Sequence, residues 1–226
     1  MPLAFASNLT SAVALGPRAQ VRIGALLVLA TAVPLLAGCG LPWSGTPAAK
    51  HPEVRPGELA DAAGRPCPRE LPTGDDPSGH GFGIEDVADE RPALLAPLEA
   101  WVCEYTTIEV GTTANGGATY GWRREGRPEP VATTDLPDLR DALDDLAPPD
   151  RSRACPADLG PRFMVAFSHD GDLTGVVVDD YGCRDVRLTD DPSTTPPGAD
   201  NQEGTVGGVL DGGAAILDVL GVGRTS

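Results

Sequence analysis

The chain predicts an α+β domain with elements in ββα–ββα order, an antiparallel sheet carrying its helices packed on one face. Three observations lead there. Two stretches of strand-forming residues are each split by a hairpin signal, Asn115-Gly116 and Asp170-Gly171. A leucine series at helical spacing follows the first pair. A second apolar segment closes the chain after the second pair.

Residues 99–110 carry Trp101, Val102, Tyr105, Thr106, Thr107, Ile108 and Val110, all strand formers. Across the Asn115-Gly116 turn, residues 118–124 place Tyr120 and Trp122 at period two. Residues 135–146 then set Leu136, Leu139, Leu143 and Leu146 on one helix face. Asp135 suits the N-cap, Pro137 the first turn, and Pro148-Pro149 a stop. Strands at 162–167 and 173–178 flank Asp170-Gly171. The last expected helix spans 205–220, with Val206, Val209, Leu210, Ile216, Leu217 and Leu220. Gly207, Gly208, Gly212 and Gly213 weaken it, each by about 1 kcal/mol relative to Ala. Burial against the sheet has to keep it helical. The polar, Pro-rich stretch 189–204 reads as a mobile linker within the domain.

The N-terminal end has a different character. Residues 1–38 contain no Asp or Glu. Arg18 and Arg22 precede an apolar run over residues 23–37, which ends in Leu36-Ala37-Gly38-Cys39. That run is shorter than the roughly 20 residues a membrane-spanning helix needs, and Pro34 interrupts it. This arrangement resembles a bacterial lipoprotein signal with its lipobox. The resemblance implies cleavage between Gly38 and Cys39 and a diacylglyceryl group on the Cys39 thiol. It places the protein at the cell membrane, lipid-anchored and facing the extracytoplasmic side. Two acyl chains hold firmly where a single one is marginal. The single lysine, Lys50, beside abundant Arg, Ala, Gly and Pro resembles the usage of high-GC actinobacteria. The segments Trp101-Val102-Cys103-Glu104-Tyr105, Cys155-Pro156-Ala157-Asp158 and Gly182-Cys183 resemble patterns in uncharacterised actinobacterial lipoproteins; no activity comes with that likeness.

The expected organisation is therefore a signal peptide at 1–38, a lipidated Cys39 with a flexible tether to residue 64, and one domain over 65–226. A tether of about 25 Pro-, Ala- and Gly-rich residues reaches roughly 25–30 Å. Removal of the leader takes Arg18 and Arg22 and moves the formal net charge from −16 to −18. Such a surface is repelled by nucleic acid and by anionic headgroups, so membrane attachment has to come from lipid and no nucleic-acid partner is expected.

With Cys39 used by the anchor, Cys67, Cys103, Cys155 and Cys183 remain. An even number in an exported chain implies disulfides, with three pairings open. The hairpin narrows them. A two-residue turn at Asp170-Gly171 pairs His169 with Asp172 and sets Cys183 opposite Asp158. Cys155 lies three residues away, and Pro156 and Gly160 let the chain bend back. Cys155–Cys183 leaves Cys67 with Cys103. Each bond closes a loop of roughly 30 residues and contributes about 3 kcal/mol in the chain-entropy account.

Chemistry-bearing motifs are sparse. No cysteine lies in a C-x-x-C pair, and His51, His80 and His169 are scattered, so neither a metal site nor a cofactor is expected. Tyr181-Gly182-Cys183-Arg184, with His80-Gly81 elsewhere, faintly resembles the cysteine segment of L,D-transpeptidases. Tyr181 stands where that family has His, and no Ser precedes it. Asp170-Gly171-Asp172-Leu173-Thr174-Gly175 begins like a calcium loop, but Tyr181 occupies the twelfth position, where a bidentate Glu is needed. The pairs Asp75-Asp76, Asp144-Asp145 and Asp179-Asp180 read as solvated surface. Trp101, Tyr105, Tyr120 and Trp122 read as core, with an exposed strip for a glycan or protein as the alternative. These readings point to a lipid-anchored, non-catalytic binding or interaction module with an envelope protein or glycan as partner. The alternative is a cell-envelope enzyme with Cys183 as nucleophile.

Overall fold

The computed structural model describes residues 54–74, 86–112, 116–150, 152–156 and 158–223. The expected signal peptide, Cys39 and the first part of the tether lie outside them, as do His80-Gly81 and Asp75-Asp76. The described chain forms a mixed α+β domain, mostly sheet. Its elements are α1 (Glu58–Asp61), β1 (Glu99–Thr112), β2 (Ala118–Pro130), α2 (Leu136–Asp144), β3 (Arg162–His169), β4 (Asp172–Asp179), β5 (Val186–Thr189) and α3 (Gly213–Leu220). The five strands form one antiparallel sheet in the order β2-β1-β3-β4-β5.

The β3–β4 hairpin follows directly from its turn. Asp170 and Gly171 both take positive φ, 53° and 85°, as a two-residue primed turn requires. His169 therefore faces Asp172, and the ladder runs to Arg162 opposite Asp179. Both faces of these central strands are buried, so β3 reads as a nearly unbroken apolar run rather than an alternation.

One face carries Ala100, Phe163, Val165, Phe167, Val176, Val178, Val186 and Leu188, packed with Leu139, Leu143, Leu146, Ile216 and Leu217. The other face carries Cys103, Tyr105, Trp122, Met164, Ala166 and Val177, closed by Cys67 and Leu71. The loop ahead of β1 thus supplies a second, smaller core. The Tyr105 hydroxyl donates to the Pro68 carbonyl at 2.8 Å and pins that wrap.

Several expectations change. A fifth strand, β5, stands between β4 and the last helix, so the order is not a repeated ββα unit. The final helix begins at Gly213 rather than residue 205. Gly208 has φ +84° and lies so close to the 86–88 backbone that a Cβ would sit 2.7 Å from the Asp86 carbonyl oxygen. Residues 209–211 instead bridge Val87, Val186 and Ala147 as an extended strip. That strip occupies the outer edge of β5, while Glu70 bridges Arg123 on the outer edge of β2. Asp135 stands at the N-cap of α2 without a side-chain capping bond; its Oδ1 accepts from the Thr134 hydroxyl instead.

The segments read as tether and linker are tied down in part. Within 54–64, the Leu59 N–H donates to the Gly171 carbonyl at 3.0 Å, and Glu58 Oε2 accepts the Leu173 N–H at 3.0 Å. Within 189–204, Gln202 Oε1 accepts the Asp190 N–H, and its Nε2 donates to the Leu188 and Ala199 carbonyls.

Candidate functional site

Two features concentrate the chemistry: a buried charged cluster on the smaller core face, and a hairpin arm that continues from it. The cluster begins with Arg162, the first residue of β3. Antiparallel register sets Asp179 directly across from it on β4. Arg187 follows on β5, opposite Val177. Asp179 Oδ1 accepts the Arg162 Nε–H at 2.5 Å, and Oδ2 accepts an Arg187 Nη1–H at 2.9 Å. All three side chains are almost fully buried. Three neighbouring strands are thereby joined through one carboxylate.

Aromatic rings roof the cluster. The Arg162 guanidinium carbon lies 4.1 Å from the Trp122 ring centroid and 5.7 Å from that of Tyr181. The two rings are within 8° of parallel, with centroids 6.4 Å apart. Burial pushes the Tyr181 hydroxyl up to about 12, against the opposing charge of Arg162. Asp179-Asp180 is thus not solvated surface: Asp180 is also buried, with Arg184 at 3.8 Å. Charged residues at the ends of apolar strand runs, Arg162 before Phe163 and Asp179 after Val178, are the signal that sequence reading passed over.

The expected site residues fall in separate places. Cys67 is bonded to Cys103, both buried within the smaller core. Cys155 is bonded to Cys183, with Cα atoms 4.8 Å apart, beside the Tyr181 turn. In this state Cys183 has no thiol to offer as a nucleophile. Asp170 is exposed, 3.7 Å from His169, and the apparent calcium loop is the hairpin turn. Asp144 pairs with Arg140 at 2.7 Å on the surface of α2. Among the described residues no group of three His, Cys, Asp or Glu is placed to hold a metal ion. An open cleft of about 560 Å³ is lined by Asp86, Asp89, Glu90, Asp200 and residues 205–208, and its character is acidic.

The four aromatics divide. Tyr105 and Trp122 are buried, while Trp101 and Tyr120 are half-exposed, so they do not form one exposed strip. Tyr120 belongs instead to the arm. β1 pairs with β3 only as far as Tyr105, yet its pairing with β2 continues to Thr112 opposite Ala118. The hairpin thus runs past the rest of the sheet. It carries Ile108, Val110 and Tyr120, with Val110 57% exposed and packed over Gly121.

No family model, no curated protein and no solved structure matches the chain. The two disulfides fit an oxidising, extracytoplasmic compartment. Among the described residues no helix is long and apolar enough to cross a membrane.

Proposed function

We propose that this protein is a lipid-anchored component of the cell envelope whose domain binds an envelope partner, protein or glycan, without catalysis. The anchor is Cys39, on the strength of the lipobox and its leader. The observation that favours a binding role is the polarity of the sheet. α1, the first described element, docks on the Gly171 turn. The arm leaves from the opposite end, since β1 starts beside Ser168 and passes Arg162 before projecting. Along β1 these two ends are separated by roughly 40 Å at about 3.4 Å per residue. α1 and the arm thus lie at opposite ends of the sheet, and the arm is left clear of the rest of the described domain.

The anchor and the arm are tested separately. Cys39→Ser leaves an uncleaved or mislocalised precursor; a processed, detergent-partitioning variant overturns the anchor. For the arm, a photo-crosslinking residue at position 110 or 120 of the anchored protein captures a discrete partner in living cells. Val110→Asp in the arm abolishes the adduct formed from position 120. Capture from the Gly171 end alone, with the arm silent, overturns the assignment of the binding surface.

A further inference from the structure

We propose that Cys155–Cys183 is a thiol-exchange site, opened by an exported dithiol reductant while Cys67–Cys103 stays closed, and that opening it frees Tyr181 from the Trp122–Arg162 cluster.

The two disulfides have opposite surroundings. Cys67 and Cys103 are each 1% exposed, sealed under Leu71 and beside Tyr105. Attack on that bond requires the smaller core to open first. Cys155 is exposed and Cys183 partly so. Cys155 lies at the surface, so a thiolate approaching it does not require the core to open. The chemistry balances in two steps. A reductant thiolate bonds to Cys155 Sγ, the Cys155–Cys183 bond breaks, and Cys183 leaves as thiolate and takes up a proton. The second thiol of the reductant then bonds to the first, releasing Cys155 as a thiol and the reductant as its own disulfide.

The bond is placed where its loss is felt. It staples the 152–156 segment to the tight turn between β4 and β5, in which the Arg184 N–H donates to the Tyr181 carbonyl at 2.9 Å. Arg184 holds a left-handed φ of 56° there, a conformation that costs free energy in a non-glycine residue. Beyond the disulfide, the turn is held by the Gly182 N–H on Asp158 Oδ1 at 2.8 Å and by the ion pair of Arg153, on the stapled segment, with Asp185. Cutting the staple removes the covalent link and leaves these polar contacts to hold the strained turn. Tyr181 is the first residue of that turn and roofs the charged cluster.

The test is differential alkylation of the intact, oxidised protein with dithiothreitol under native conditions, followed by peptide mapping. Cys155 and Cys183 become labelled about tenfold or more faster than Cys67 and Cys103. Labelling is accompanied by a tryptophan fluorescence change that is absent from Trp122→Phe. A Cys155→Ala, Cys183→Ala double variant shows the reduced-state fluorescence without reductant. Equal labelling of all four cysteines, or faster labelling of Cys67 and Cys103, overturns the exchange site. Selective labelling with Trp122 fluorescence unchanged overturns the release of Tyr181.

Discussion

Asp179 sits directly across the β3–β4 ladder from Arg162 and accepts its Nε–H at 2.5 Å. The same carboxylate takes Arg187 on its second oxygen. One acid thereby answers two buried bases. The arrangement is sensitive to loss of the acid in a way that a surface ion pair is not.

Asp179→Ala leaves two guanidinium groups buried without their shared counter-charge. The expected loss is about 3–5 kcal/mol, read by urea denaturation. Replacing all three residues together, as Arg162→Met, Asp179→Leu and Arg187→Met, recovers most of that loss. A single-variant loss below about 1 kcal/mol contradicts the assignment of the cluster as a buried unit.

Leu143 is 1% exposed and belongs to the larger core with Leu139 and Ile216. Leu143→Ala is expected to cost about 2–5 kcal/mol through lost burial and the cavity left behind. Thermal and chemical unfolding measure it. A change near zero means that α2 contributes little to the folded core.

Glu58 gives the domain a pH dependence. Burial raises its carboxyl from 4.5 to about 7, helped by the charges of Asp172 and Asp191 and opposed by the Leu173 N–H. Its partner Asp172 is raised too, by burial, against the Arg55 N–H and the Glu58 hydrogen bond. Arg55 also faces the pair, and is itself paired with Glu203 and close to Asp190. The folded state therefore retains a proton that the unfolded chain releases. This contribution is complete below pH 4.5 and is lost as pH rises through about 7. Unfolding temperature should fall between about pH 5 and pH 8, and Glu58→Gln should flatten that slope. An identical slope in the variant shows that Glu58 carries none of it.

Gly213→Ala sets local propensity against packing. Inside a helix the change gains about 1 kcal/mol by propensity. Here a Cβ runs into the Arg184 carbonyl oxygen and lies 2.7 Å from Val178 Cγ1. The net expectation is destabilisation by about 1–3 kcal/mol. Gly221→Ala, with open space around it, is the comparison: its cost comes only from a φ of 64°.

How legible the fold was depended on whether a signal was local. Asp170-Gly171 fixed its hairpin because both φ requirements are met by the turn residues themselves. The leucine series located α2, of which Leu136–Asp144 is helical. Leu146, just past its end, is still fully buried. β5 was missed because Val186–Thr189 is short and is buried at all four positions, so it shows no alternation. The start of the last helix was expected too early, at residue 205 rather than Gly213, for a related reason. Val206, Val209 and Leu210 have a helical look, but the bridges to Val87 and Val186 decide their conformation. The charged cluster was hidden because Arg162, Asp179 and Arg187 become neighbours only through strand register.

The Cys67–Cys103 bond also has a mechanical consequence. A pull applied from the N-terminal side first meets α1 and its few hydrogen bonds to the Gly171 turn, which yield one after another. It next reaches Cys67, where the chain is bolted to β1 in the interior of the sheet. Load then passes to a covalent bond and is shared by the ladders on either side of β1. Peeling from that end stops there, and the strands beyond keep their register while the entry segment gives way.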